Sequence, residues 1–326
     1  NILVSFIIIN QIGVNMNNLK KLGLTALAGS LVASTATAGT LEVTGSATVK
    51  YQSKSGSAGT SSIQGNPWSD GNAISFKGSG DLDNGMSVGY VYTMTDAAFS
   101  SSAVTLDMGD AGMVAFAHGT AYGGIDTIKD KMPTAGEEVW DDQGTGDDAG
   151  VTDVGSDASL NYKVDMNGIT ASASYARTGV GTDTSVALVA GELVDGAEFG
   201  IGMATDVTGT SGTENDMSTV YAKYTAGAVT VGVQLSEIDK TATNGDIDRE
   251  AAALSFAVNE NLSVSWGIST VEYEDSSKVD AESTGISASY TMGGMTFGAV
   301  ANKTDSFAGT SGTDKEFTEV SLSFAF

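Results

Sequence analysis

The sequence predicts an all-β protein, a transmembrane up-and-down antiparallel β-barrel of sixteen strands. Three observations predict it. From Leu41 to Phe326, apolar and small polar side chains alternate in segments separated by turn residues. In a strand, successive side chains point to opposite faces, so each segment has one oily and one wet face. Tight and longer connections then alternate along the chain, as they do when short turns close one rim of a barrel and long loops the other. Finally, Pro occurs only 2 times in 326 residues, which suits many uninterrupted ladders.

The elements follow in order. A first strand is predicted at 40–54. Strands 72–82 and 86–95 flank Asn84-Gly85, and 100–108 and 113–119 flank Gly109-Asp-Ala-Gly112. Strands 157–165 and 169–178 flank Asn167-Gly168, and 183–191 and 197–205 flank Asp195-Gly196. Then 217–225 and 228–237 flank Ala226-Gly227, and 249–258 and 262–273 flank Asn259-Glu-Asn261. Strands 282–292 and 295–303 flank Gly293-Gly294, and 316–326 closes the series. Asn-Gly, Asp-Gly and Gly-Gly supply the positive φ that two-residue hairpins require. The link at 96–99 is a short one among the eight connections assigned to the long-loop rim.

Parity assigns the faces. Val88, Tyr90 and Tyr92 share the oily face, as do Leu160, Tyr162 and Val164, and Ile286, Ala288 and Tyr290. Tyr51, Tyr92, Tyr175, Tyr224 and Tyr290 stand near strand ends, where an aromatic girdle meets the lipid interface. A soluble β-sandwich also alternates. At this length it would need two domains and a linker, and the sequence contains no linker.

The first part of the chain reads as processing material. Residues 1–15 precede the first Met and are given no role. Residues 16–38 form a secretory signal peptide: Lys20-Lys21, then apolar Leu22–Ala33, then the small-residue site Ala36-Thr37-Ala38. The barrel domain is then 39–326. Losing Lys20 and Lys21 leaves 13 basic against 40 acidic residues, a net charge of −27. Such a chain does not attract nucleic acid or anionic lipid. The absence of cysteine excludes disulfides and thiolate metal sites.

These features together resemble the bacterial outer-membrane porins, in particular the sixteen-stranded general-diffusion type of alphaproteobacteria. The residues that carry the resemblance are the signal Met16–Ala38, the opening strand Thr40-Leu-Glu-Val-Thr-Gly45 and the closing strand Glu319-Val-Ser-Leu-Ser-Phe-Ala-Phe326. The terminal Phe326 looks like the signal read by the outer-membrane assembly machinery. The resemblance implies a homotrimer in outer-membrane lipid that passes small hydrophilic solutes. One departure stands out: Arg177 and Arg249 are the only arginines, where the family often lines a pore wall with an arginine cluster.

The longest connection, Ala121–Ser156, is the third long loop, which in the family folds into the lumen and narrows it. Here it carries Asp126, Asp130, Glu137, Glu138, Asp141, Asp142, Asp147, Asp148 and Asp153 against Lys129 and Lys131. A passage lined by one sign of charge concentrates counter-ions, so a modest cation preference is expected. Tyr122 and Trp140 are candidates to pin the loop to the wall. Lys50, Lys77, Lys163, Lys223 and Arg249 fall on the small-polar face and are assigned to the lumen wall. The run Asp141, Asp142, Asp147, Asp148 suits weak Ca²⁺ or Mg²⁺ bridging, as does Asn244-Gly-Asp246-Ile-Asp248. Neither run has the spacing of a dedicated calcium loop, and no cofactor is expected.

His118 is the only histidine. A hydrolytic triad needs a base set beside a nucleophile and an orienting carboxylate, which one histidine among many serines does not signal. An enzyme is therefore disfavoured. A passive pore is the first expectation, and a non-conducting surface barrel serving as coat, adhesin or receptor is the alternative.

Overall fold

The computed structural model describes residues 39–57, 66–140, 151, 158–177, 179, 181–207 and 214–326. The predicted signal peptide lies outside the described residues, as do Asp141, Asp142, Asp147, Asp148 and Asp153. Sixteen antiparallel strands close into one barrel, with β1 hydrogen-bonded to β16. They are β1 (Thr40–Ser55), β2 (Trp68–Asp81), β3 (Ser87–Thr95), β4 (Ala98–Asp107), β5 (Met113–His118), β6 (Ser159–Met166), β7 (Ile169–Arg177) and β8 (Thr182–Val194). The second half comprises β9 (Ala197–Val207), β10 (Glu214–Ala226), β11 (Val229–Lys240), β12 (Ile247–Ala257), β13 (Leu262–Tyr273), β14 (Ala281–Met292), β15 (Met295–Asp305) and β16 (Asp314–Ala325).

The alternation in sequence becomes an inside and an outside. On β11, Val231, Val233 and Leu235 are 43–53% exposed on the outer wall, whereas Gln234, Ser236 and Ile238 are buried within. The ladder extends this division across neighbouring strands. Val231 lies opposite Tyr224 and Leu254, and Leu254 opposite Trp266, all on the outer surface. That surface is apolar because it meets hydrocarbon, where every backbone group must already be paired.

At the short-turn rim, Asn167 and Gly168 both take positive φ, 51° and 85°, as a two-residue hairpin requires. The β3–β4 link uses the same geometry at the opposite rim. Asp96 and Ala97 have φ of 49° and 63°, and the Asp96 carboxylate accepts the Asn72 backbone N–H at 3.0 Å. This link is therefore a tight hairpin among the loops. The seam is held by paired backbone bonds between Gly45 and Phe326 at 2.7 and 3.0 Å. A Cβ on Gly45 would lie 2.7 Å from the Phe326 ring, so the terminal aromatic rests where only glycine leaves room.

The wall is uneven. β1 has 16 residues and β2 has 14, while β5 has only 6. Above β5 the chain turns inward and runs along the inner wall. Two clusters of buried apolar side chains lie there, between loop and wall, and a third, Ile247, Val271 and Ala281, lies on β12 to β14.

Candidate functional site: the constricted lumen

The segment after His118 is anchored by apolar side chains. Ile125 and Ile128 are fully buried with Val151 against Ala187, Ala204, Met217, Tyr221 and Ile238 of β8 to β11. Further along, Met132, Val139 and Trp140 close on Ala251 of β12. Burying one such side chain contributes about 1.5–3 kcal/mol, so the two clusters hold the loop without help from its charges.

Glycines on the inward rows make the seat. A Cβ on Gly202 would stand 2.8 Å from the Ile128 side chain, and one on Gly232 would stand 2.6 Å from Pro133. Mid-strand glycine in Ile-Gly-Met and Val-Gly-Val marks such a close approach. That signal is present in the sequence, although nothing local tells which segment approaches.

Polar wall residues satisfy the loop backbone. Ser185 accepts the Ile125 N–H at 3.2 Å, and Gln234 accepts the Lys131 N–H at 3.0 Å. Gln234 also donates to the carbonyls of Ile128 and Lys129, each at 2.9 Å. Ser265 accepts the Ala135 N–H at 2.9 Å, and Asn302 donates to the Glu138 carbonyl at 3.0 Å. An irregular backbone at membrane depth survives only when its groups are paired in this way. The loop therefore crosses the inner wall from β7 to β15 and narrows the lumen.

The predicted charges are placed as follows. Asp130 is exposed, and Asp126, Glu137 and Glu138 are half-buried. Glu137 reaches to 3.8 Å from Lys50 on β1, closing the arc of the loop against the far wall. The register puts Lys50, Lys77, Lys163, Lys223 and Arg249 on inward rows, but it does not cluster them. Lys50 pairs with Glu319 at 3.1 Å, and Gln52 donates to the same carboxylate at 2.6 Å. Lys223 pairs with Glu198 at 2.9 Å, and Tyr221 donates to Glu198 at 2.7 Å. Arg249 is 1% exposed, beneath Trp140. In the loop itself, burial and then the nearby Lys223 pull the Lys131 ammonium below its ordinary pKa.

Sequence reasoning missed Glu198 and Glu319, because inward acids on strands read as ordinary polar positions. Tyr122 is half-buried, and Trp140 is the aromatic seated against the wall. Among the described residues no group of three His, Cys, Asp or Glu side chains is placed to hold a metal ion. Asp246 instead accepts the Lys240 backbone N–H at 2.8 Å, while Asp248 neighbours the inward Arg249 and so faces outward. His118 faces the outer wall, with its ring 4.8 Å from that of Phe99.

A closed barrel of sixteen strands with an inner loop is a channel architecture, and the family comparison agrees. The Gram-negative porin family matches residues 23–326. The chain belongs to the Gram-negative porins. Family and barrel together make this porin an outer-membrane channel. No curated protein matches its sequence. Among solved structures, a Rh. blastica porin mutant shares 15% identity at a TM-score of 0.63, covering 88% of this chain and 100% of its own. Another porin structure shares 17% at 0.65, and an anion-selective porin from Comamonas acidovorans 16% at 0.63, with the same coverage. At these identities the likeness is one of fold.

Proposed function

We propose that this porin is a homotrimeric, water-filled pore for passive diffusion of small hydrophilic solutes, with a modest preference for cations. The observation that carries the ion preference is that three of the five lumenal bases are held locally. Lys50 and Lys223 stand against Glu319 and Glu198, and Arg249 is buried under Trp140. Among the described residues of the loop, the acidic Asp126, Asp130, Glu137 and Glu138 then stand against the basic Lys129 and Lys131. A related fold described as anion-selective indicates that architecture leaves the sign open and that side chains set it.

The low wall supports the trimer. With a rise of about 3.3 Å per residue and a tilt near 40°, a six-residue strand climbs about 15 Å, less than the ~25 Å apolar band. The exposed Gly119, Thr120 and Ala121 above β5 would otherwise meet lipid with irregular backbone. A second copy of the chain covers that surface. A planar-bilayer recording under a salt gradient tests the whole reading: a cation-selective reversal potential in dilute salt is expected. Absence of conductance, or an anion-selective potential, refutes it.

A further inference from the structure

On the outer wall, away from the pore, two grooves adjoin across β8 to β13, with volumes of about 470 and 400 Å³. They share Met203, Ser218 and Glu237. Ser218 forms a low floor because its side chain is small, while Met203 at 58% exposure and Glu237 rise on either side. Toward the short-turn rim the lining is apolar: Ile201, Val220 and Leu235. Toward the long-loop rim it is acidic: Asp216, Asp239 and Asp248. From Val229 to Glu237 the strand climbs about 20 Å, so the change of lining falls near the upper edge of the ~25 Å apolar band.

We propose that this face binds an acyl-chain amphiphile with a cationic, amine-bearing headgroup. Carboxylates alone would mark only a hydrated rim. Here they cap an apolar groove that opens into the bilayer, and the two ends ask for one molecule with both characters. The acidic level continues sideways as Glu250, Glu272, Glu282 and Asp305, with Lys303 held by Asp305 at 2.7 Å. An anionic headgroup is repelled by that surface. A coordinated metal ion is not served by it, since no three of these groups among the described residues converge as ligands. A second copy of the chain is assigned to the low wall above β5, and a water-soluble partner would have to enter the hydrocarbon to reach Ile201, Val220 and Leu235. Chain burial contributes in proportion to apolar area, and the ammonium adds charge-assisted contacts to Asp216, Glu237 and Asp239.

The test is native mass spectrometry of the purified full-length protein in an uncharged detergent, titrated separately with dodecylamine, dodecanol and dodecyl phosphate. Dodecylamine should be retained at about tenfold lower concentration than the other two. The combined Asp216→Asn, Glu237→Gln and Asp239→Asn variant should lose about that tenfold advantage. Ser218→Phe, which fills the floor and changes no charge, should lose it as well. Single-channel conductance and the heat-dependent gel mobility should stay as in the parent, which shows a folded barrel and separates this site from the pore. Equal retention of the three amphiphiles overturns the proposal. So does Ser218→Phe without effect, which would mean diffuse attraction only. Dodecyl phosphate retained only with Mg²⁺ and released by a chelator also overturns it, in favour of metal-bridged anions.

Discussion

The guanidinium carbon of Arg249 lies 4.2 Å from the centre of the Trp140 ring, and this contact joins the far end of the inner loop to β12. Arg249 also donates to the Lys129 carbonyl at 3.5 Å, so one wall residue touches the loop at two points. A desolvated cation over indole contributes about 2 kcal/mol. Trp140→Ala should therefore release this end of the loop, raising single-channel conductance and its noise. The oligomer band on unheated detergent gels should not move, because barrel closure does not involve the loop. Conductance identical to the parent would show that the remaining apolar and hydrogen-bonded contacts of the loop position it without Trp140.

The glycine seat makes a separate claim. Even a Cβ at position 232 would stand 2.6 Å from the Pro133 ring, so Gly232→Leu drives its whole side chain against the loop. The loop should move into the passage while the ladder of β11 stays intact. Solute flux into liposomes should fall, most for the larger sugars. Unchanged size dependence would mean that the loop accommodates the side chain without narrowing the pore.

Charge on the loop sets the third expectation. Neutralising Glu137, Glu138, Asp141 and Asp142 to Gln and Asn should move the reversal potential toward zero or past it. Removing Glu137 leaves Lys50 held by Glu319, so the wall charge is little altered. The shift should shrink with salt, since the Debye length falls from about 10 Å at 0.1 M to about 3 Å at 1 M. A selectivity independent of these four residues, measured in dilute salt, would place the control elsewhere.

Register gives the fourth. Val231 is 43% exposed on the outer wall, and Thr230 faces inward, its hydroxyl 3.0 Å from that of Thr225. Val231→Arg should destabilise the folded barrel by about 2–4 kcal/mol, while Thr230→Arg one residue away should cost little. Refolding titrations in denaturant measure both. Equal losses would be incompatible with the assigned faces.

Much of the fold is legible in the sequence because alternation is a local property. It predicts a strand at 262–273, and β13 is Leu262–Tyr273; the others begin and end within a few residues of expectation. Val231, Trp266 and Ile286 declare the outer face by parity alone, since a two-residue period leaves no third choice. Asn167-Gly168 declares its turn because few residues accept two successive positive φ values. The β3–β4 link is less legible: Asp96 and Ala97 adopt that backbone without glycine, held by the Asp96 bond to Asn72.

Where the loop sits is decided only by the closed barrel. Gly202, Gly232, Gln234 and Ser265 come from β9, β11 and β13, and nothing in their own neighbourhoods brings them together. Closure sets them on one curved inner surface, and Ile125, Ile128 and Trp140 then find burial that no single strand offers. The lumenal bases differ in the same way. Parity on a strand places Lys50, Lys223 and Arg249 inside, because side-chain direction depends only on the local backbone. Glu319 and Trp140 are distant in sequence, so their pairing waits on closure of the whole sheet, while Glu198 meets Lys223 through the register of β9 with β10.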